Sequence, residues 1–172
     1  MLSRFLFILC FISIVVGQQS FTAHTISTSA DGARSVYAVD VDGDGDMDVL
    51  SASQGDDKIA WYENNGSESF TAHTISSSAD RAMSVYAVDV DRDGDIDVLS
   101  ASYVDDKIAW YENNGSESFT AHTISSNVDG AMSVYAVDVD GDGDIDVLSG
   151  SWSDDDKIAW YENNGSESFT AH

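Results

Sequence analysis

The sequence predicts an all-β chain built from four-stranded antiparallel units repeated three times. Three observations carry this reading. Phe-Thr-Ala-His begins at Phe21, Phe70, Phe119 and Phe169, at spacings of 49, 49 and 50 residues. Within each period, short runs of β-branched and aromatic residues are separated by Asp, Asn and Gly, the punctuation of strands. The chain has no proline, and no stretch sustains a 3.6-residue apolar period with caps. A fixed period of this length marks a repeat architecture. Four strands in 49 residues is the size of one β-propeller blade.

The elements follow in order. The first strand of each repeat is Ser35–Val41, Ser84–Val90 and Ser133–Val139. It is apolar on both faces, which predicts cover on both sides. An aspartate-rich loop comes next. The second strand is Val49–Ser53, Val98–Ser102 and Val147–Ser151. An acidic turn, Asp56-Asp57 in the first repeat, leads into the third strand, Lys58–Glu63. Asn64–Gly66 predicts a type I′ hairpin, because Asn-Gly accepts positive φ at low cost. The fourth strand is Ser69–Ile75. The repeats cover 21–69, 70–118 and 119–168, with a partial strand at 169–172. The extra residue of the third repeat lies in Ser153–Lys157, and an insertion there is easiest to place in a surface loop. The Gly-His and Trp-Asp signatures of WD-type blades are missing.

The aspartate loop carries the chemistry. Asp40–Asp48 reads Asp-Val-Asp-Gly-Asp-Gly-Asp-Met-Asp and recurs at Asp89–Asp97 and Asp138–Asp146. In the first loop Asp40, Asp42, Asp44, Asp46 and Asp48 hold positions 1, 3, 5, 7 and 9, with Gly45 at position 6. The equivalents are Asp89, Asp91, Asp93, Asp95 and Asp97, then Asp138, Asp140, Asp142, Asp144 and Asp146. Carboxylates this dense repel one another unless a cation neutralises them. A glycine bend lets alternate side chains converge on one point, and hard oxygen donors at this spacing suit Ca²⁺, one ion per repeat. Mg²⁺ prefers fewer protein carboxylates and more water. In the EF-hand scheme, position 7 gives its main-chain carbonyl, so the Asp46 side chain is expected in solvent. The loop is not an EF-hand, because position 12 is Ser51, Ser100 or Ser149 rather than glutamate. Arg92 replaces glycine at position 4 of the second loop. With its side chain turned outward, that site is expected to be weaker.

This loop between strands, followed by Trp61–Gly66, Trp110–Gly115 and Trp160–Gly165, resembles the FG-GAP family and its VCBS-type repeats. The resemblance covers nearly all of residues 20–172. It implies calcium-containing β-propeller blades of the kind found in integrin α chains. A structural rather than regulatory role for the calcium is the expectation here.

Residues 1–17 read as a secretory signal. Arg4 precedes an apolar run from Phe5 to Val16, too short for a membrane-spanning helix, and Val15 and Gly17 suit a cleavage site. The repeat domain is then 18–172, without a membrane span. Cleavage removes Cys10, the only cysteine, so bound metal is a plausible source of rigidity. The formal net charge is −24, and loss of Arg4 makes it one unit more negative. Fifteen of the 31 acidic residues lie in the three loops. No basic stripe exists to meet phosphates, which argues against nucleic acid.

His24, His73, His122 and His172 each stand alone in Phe-Thr-Ala-His. They read as packing or surface residues rather than zinc ligands. Trp61, Trp110 and Trp160 read as core between blades, with an aromatic sugar platform as the rival. Tyr103 and Trp152 replace Gln54 in the most variable loop, the best candidate for partner contact. Asn65, Asn114 and Asn164 begin Asn-Gly-Ser sequons on hairpin tips, where glycosylation is expected in a eukaryotic host.

No nucleophile–base constellation or phosphate loop stands out, so the expectation is a non-enzyme. The predicted function is a secreted, extracellular calcium-binding protein that mediates adhesion to a protein or glycan. The alternatives are a non-catalytic accessory part of a polysaccharide-acting enzyme, or an acidic calcium-sequestering matrix protein. Three blades fall short of the usual four to eight. The chain therefore reads as a fragment of a longer frame, as a propeller completed by self-association, or as an open array.

Overall fold

The computed structural model describes residues 20–153 and 156–172. The signal segment 1–17 and its Cys10 lie outside the described residues, as do Asp154 and Asp155 of the third-repeat insertion. Among the described residues no helix is long and apolar enough to cross a membrane.

The chain is all-β, in three four-stranded antiparallel sheets. The first blade holds β1 (Ala33–Val39), β2 (Asp48–Ser53), β3 (Lys58–Asn64) and β4 (Phe70–Ser76). The second holds β5 (Ala82–Val88), β6 (Asp97–Ser102), β7 (Lys107–Asn113) and β8 (Phe119–Ser125). The third holds β9 (Ala131–Val137), β10 (Asp146–Ser151), β11 (Ile158–Asn163) and β12 (Phe169–Ala171). Each sheet pairs its strands in sequence order, as a blade does. Each Phe-Thr-Ala-His from Phe70 onward is thus the outer strand of the blade that precedes it. Phe21–Ile26 repeats the start of β4 and β8 but forms no strand, and Phe21 is 93% exposed.

The sheets do not close into a ring. They stack side by side, and the two hydrophobic cores lie between them. One core joins Leu50, Ile59 and Trp61 of the first blade to Ala82, Val85 and Ala87 of the second. The other joins Leu99, Ile108 and Trp110 to Ala131, Val134 and Ala136 of the third. The first strands of successive blades are neighbours. Val85 N donates to Ser35 Oγ and Val134 N to Ser84 Oγ, each at 3.3 Å. Tyr37, Tyr86 and Tyr135 form a ladder with ring centroids 4.8 and 4.7 Å apart. Burial, and then the flanking tyrosines, hold the Tyr86 phenol above its ordinary pKa. The linkers between blades dock onto the acidic turns: Ala79 N donates to the Asp57 carbonyl at 3.0 Å, and Val128 N to that of Asp106 at 2.9 Å.

Two local expectations are corrected. The Asn-Gly hairpins are not type I′, which needs positive φ at both central residues. Gly66 and Glu68 have φ of 73° and 58°, while Asn65 is not left-handed. The loop is longer and is closed by Asn65 N donating to the Ser69 carbonyl at 3.1 Å. The first strands are also not covered evenly on both faces. Val36 is 69% exposed, whereas its equivalents Val85 and Val134 are 3% and 6% exposed. The difference is the presence or absence of a preceding blade.

Candidate metal centre

Each loop is folded by its own aspartates. The position-1 carboxylate receives the position-6 amide: Gly45 N to Asp40 Oδ2, Gly94 N to Asp89 Oδ2 and Gly143 N to Asp138 Oδ2, at 3.0–3.1 Å. That glycine has φ near +100° in every loop (97°, 102° and 95°), a region closed to residues with a Cβ. Position 3 accepts from the amide of position 5, and position 5 from that of position 7.

Position 9 closes the loop. Asp48, Asp97 and Asp146 are fully buried. Asp97 Oδ2 accepts from Val90 N at 3.0 Å and its Oδ1 from Asn113 N at 2.7 Å. Asp48 holds Val41 N and Asn64 N, and Asp146 holds Val139 N and Asn163 N, in the same way. A single carboxylate thus ties the end of the first strand to the end of the third.

Sequence reasoning missed the asparagine partners, reading the first Asn of Asn-Asn-Gly only as a turn former. Asn64, Asn113 and Asn163 also donate Nδ2 to the position-8 carbonyls of Met47, Ile96 and Ile145, each at 3.1 Å. The visible signal was its recurrence at one offset from the aspartates in all three repeats.

The fold brings positions 1, 3 and 9 together. Oxygens of Asp40, Asp42 and Asp48 lie within 4.8 Å of one another, as do those of Asp89, Asp91 and Asp97, and of Asp138, Asp140 and Asp146. Asp44, Asp93 and Asp142, at position 5, are outside these triads, as are the position-7 residues. Asp46 is not simply solvated: it lies half-buried beside the hairpin, where a Cβ on Gly66 would collide with its carboxylate. Asp95 meets Gly115 and Asp144 meets Gly165 in the same way. Position 7 therefore lies against the hairpin.

Electrostatics sharpen the picture. Burial, opposed by the amides of Asn113 and Val90, pushes the Asp97 carboxyl up to about 6. Asp42 and Asp91 are also raised, first by desolvation and then by neighbouring aspartates. Asp89 Oδ1 is buried with no hydrogen-bond partner. In the other loops the matching oxygen accepts from Gly43 N at 2.9 Å or Gly141 N at 2.7 Å. Converging hard oxygens, a raised carboxyl and an orphaned buried oxygen fit a Ca²⁺ ion. The position-12 serines are buried in the second strands, Ser100 Oγ lying 3.3 Å from the Tyr111 hydroxyl, away from any such role.

Arg92 has φ of 64°, a strained region for a side-chain-bearing residue. Its guanidinium turns toward the third blade and pairs with Asp144. Arg92→Gly is expected to relieve about 1 kcal/mol of backbone strain and to lose a half-exposed ion pair worth about 0–1 kcal/mol. The unfolding midpoint should stay within a few degrees of the parent's in thermal denaturation, with less dependence on salt.

His73, His122 and His172 stack on Trp61, Trp110 and Trp160 at centroid distances of 4.6 Å. Their Nε2 atoms lie 2.7–2.8 Å from Glu63, Glu112 and Glu162. Donor atoms of Glu63, His73 and Glu117 come within 4.8 Å of one another across the first pair of blades. Tyr103 is half-buried under the Arg81 guanidinium, 4.8 Å from its ring centroid, whereas Trp152 is 68% exposed. The sequon residues Asn65, Asn114 and Asn164 are all exposed.

The profile of the FG-GAP-like repeat matches residues 11–51, 40–100 and 89–149. The chain belongs to the FG-GAP-like repeat family. No curated protein matches it. Among solved structures, it is similar to an Agrocybe aegerita lectin described as specifically recognising non-reducing terminal N-acetylglucosamine. The identity is 20%, the TM-score 0.54, and the match covers 80% of this chain and 38% of the lectin chain. At this identity the likeness speaks for the fold. The FG-GAP-like chain thus accounts for well under half the length of the lectin it matches.

Proposed function

We propose that this FG-GAP-like protein is a secreted, non-catalytic binding protein, in which calcium stiffens each blade and the exposed loops recognise an extracellular glycan. The observation that carries the metal half is the recurrence of one converging aspartate triad in all three blades. A divalent ion there offsets the repulsion and desolvation that raise Asp42, Asp91 and Asp97. When bound it supplies charge neutralisation and rigidity. The protein's own part is positional: the buried position-9 aspartate fixes the loop, and position 6 bends it.

The glycan half draws support from the lectin-like neighbour and from Trp152, whose exposed indole is the type of group that stacks on sugar rings. A printed glycan array tests it, probed with the protein in Ca²⁺ and again after chelation. Retention of a defined glycan class, lost in Trp152→Ala or on chelation, supports the reading. Uniform failure to retain any glycan contradicts it and turns the search to protein partners.

A further inference from the structure

The seam between the first and second blades gathers a histidine and two glutamates. Trp61 and His73 are register partners on β3 and β4. Glu63 lies two residues beyond Trp61 and so points to the same face of the sheet. Trp61 packs in the core shared with the second blade. His73 stacks on its indole with an interplanar angle of 27°, which holds the ring with Nε2 2.8 Å from Glu63 Oε2. Glu117 reaches this pair from the β7–β8 hairpin of the next blade. One donor atom from each of Glu63, His73 and Glu117 lies within 4.8 Å of the others. Each repeat carries a single histidine, and the third group comes from the repeat that follows.

The two seams meet their negative charge differently. At the first seam, a cavity of about 80 Å³ is lined by Asp42, Asp95 and Glu117 and by no basic side chain. The matching cavity at the second seam is lined by Asp91, Asp144, Glu167 and Arg92, and Arg92 pairs with Asp144. Arg92 stands where the first loop has Gly43. The second seam thus carries a cation of its own. Among the described residues, Glu112, His122 and Glu167 form no converging triad. The first seam brings carboxylates together from two blades without a basic side chain between them, and such groups repel unless a cation enters.

We propose that Glu63, His73 and Glu117 form a second kind of metal site, for a transition metal of the Zn²⁺ type, which clamps the first blade to the second. The donor set separates it from the aspartate triads. Ca²⁺ takes oxygen ligands, whereas imidazole suits Zn²⁺. Zinc binds such nitrogen and oxygen donors at about 2.0–2.2 Å, which sets tetrahedral ligands roughly 3.3 Å apart. His73 and Glu63 are already that close. Glu117 is exposed, so its side chain is free to close the remainder. On binding, Nε2 gives its lone pair to the metal in place of a hydrogen bond to Glu63. Three protein ligands leave a fourth position for water or for a donor atom of a partner. Each aspartate triad lies within one blade, while this site joins two.

Calorimetric titration of ZnCl₂ into the purified protein tests this, in buffer with excess CaCl₂ to fill the aspartate triads. One equivalent of zinc should bind per chain and raise the thermal unfolding midpoint. Glu117→Gln changes an exposed side chain. It should keep the parent's β-sheet circular dichroism and lose both the zinc equivalent and the midpoint shift. Glu167→Gln makes the same change at the second seam and should keep both. No zinc binding by the parent, an undiminished equivalent in Glu117→Gln, or an equal loss in Glu167→Gln would overturn the seam site.

Discussion

Asp97→Ala is expected to destabilise the protein by roughly 2–6 kcal/mol, because it strands two amide donors, each costing about 1–3 kcal/mol. Val90 N and Asn113 N lose their acceptor in a site with no exposure to water. The loss falls in the middle blade, where both core clusters meet. It should therefore lower the whole unfolding transition instead of fraying one end. Urea denaturation measures it, and it should persist without metal. Asp89→Ala separates the two roles of the loop. It removes a residue of the triad and the acceptor for Gly94 N at an exposed site, so its main effect should appear only in the presence of calcium. Equal losses for the two variants in metal-free buffer would contradict this division of labour.

The second large effect is calcium-dependent stability with a defined pH window. The Asp97 carboxyl is raised from an ordinary 3.8 to about 6 by burial. A folded-state value above the unfolded one means that protonation favours the fold. In metal-free protein, this group's contribution is complete below about pH 4 and is lost as pH rises through about 6. Calcium acts in the opposite sense, since it competes with the proton for the carboxylates. Stabilisation by calcium should be small near pH 5 and large near pH 7.5. One site at a hundredfold excess over its Kd contributes about 2.7 kcal/mol, so three filled sites give roughly 8 kcal/mol. Thermal melts of metal-free protein at the two pH values, with and without added CaCl₂, measure this. A calcium-induced shift that is equal at both would contradict the carboxylate account.

Most of the fold was legible because the repeat states it three times. The 49-residue period, the four apolar runs and the aspartate loops all fall where the strands and turns fall. The first strand ends two residues earlier than the apolar pattern implies, at Val39 rather than Val41. The reason is local: Val41 N leaves the ladder and donates to Asp48. The hairpin type was misread because Asn-Gly by itself favours the tight turn. Here the first Asn is held back by the aspartate loop, and Glu68 takes the second left-handed position.

At the site, convergence of alternate aspartates could be read from glycine spacing. The sorting of five aspartates into a triad of positions 1, 3 and 9, and a hairpin contact at position 7, could not. That sorting depends on the third strand and its asparagine, about sixteen residues away. Blade-to-blade cover was also invisible, since nearly identical repeats read identically whether or not a neighbour is present. Val36 and Val85 differ only in what lies beside them.

The three aspartate triads are proposed as calcium sites. Calorimetric titration of Ca²⁺ into metal-free residues 20–172 tests this most directly. Three equivalents should bind per chain, falling to two when Asp89 and Asp91 are both changed to Asn. No heat of binding, or an unchanged three equivalents in that double variant, would contradict it.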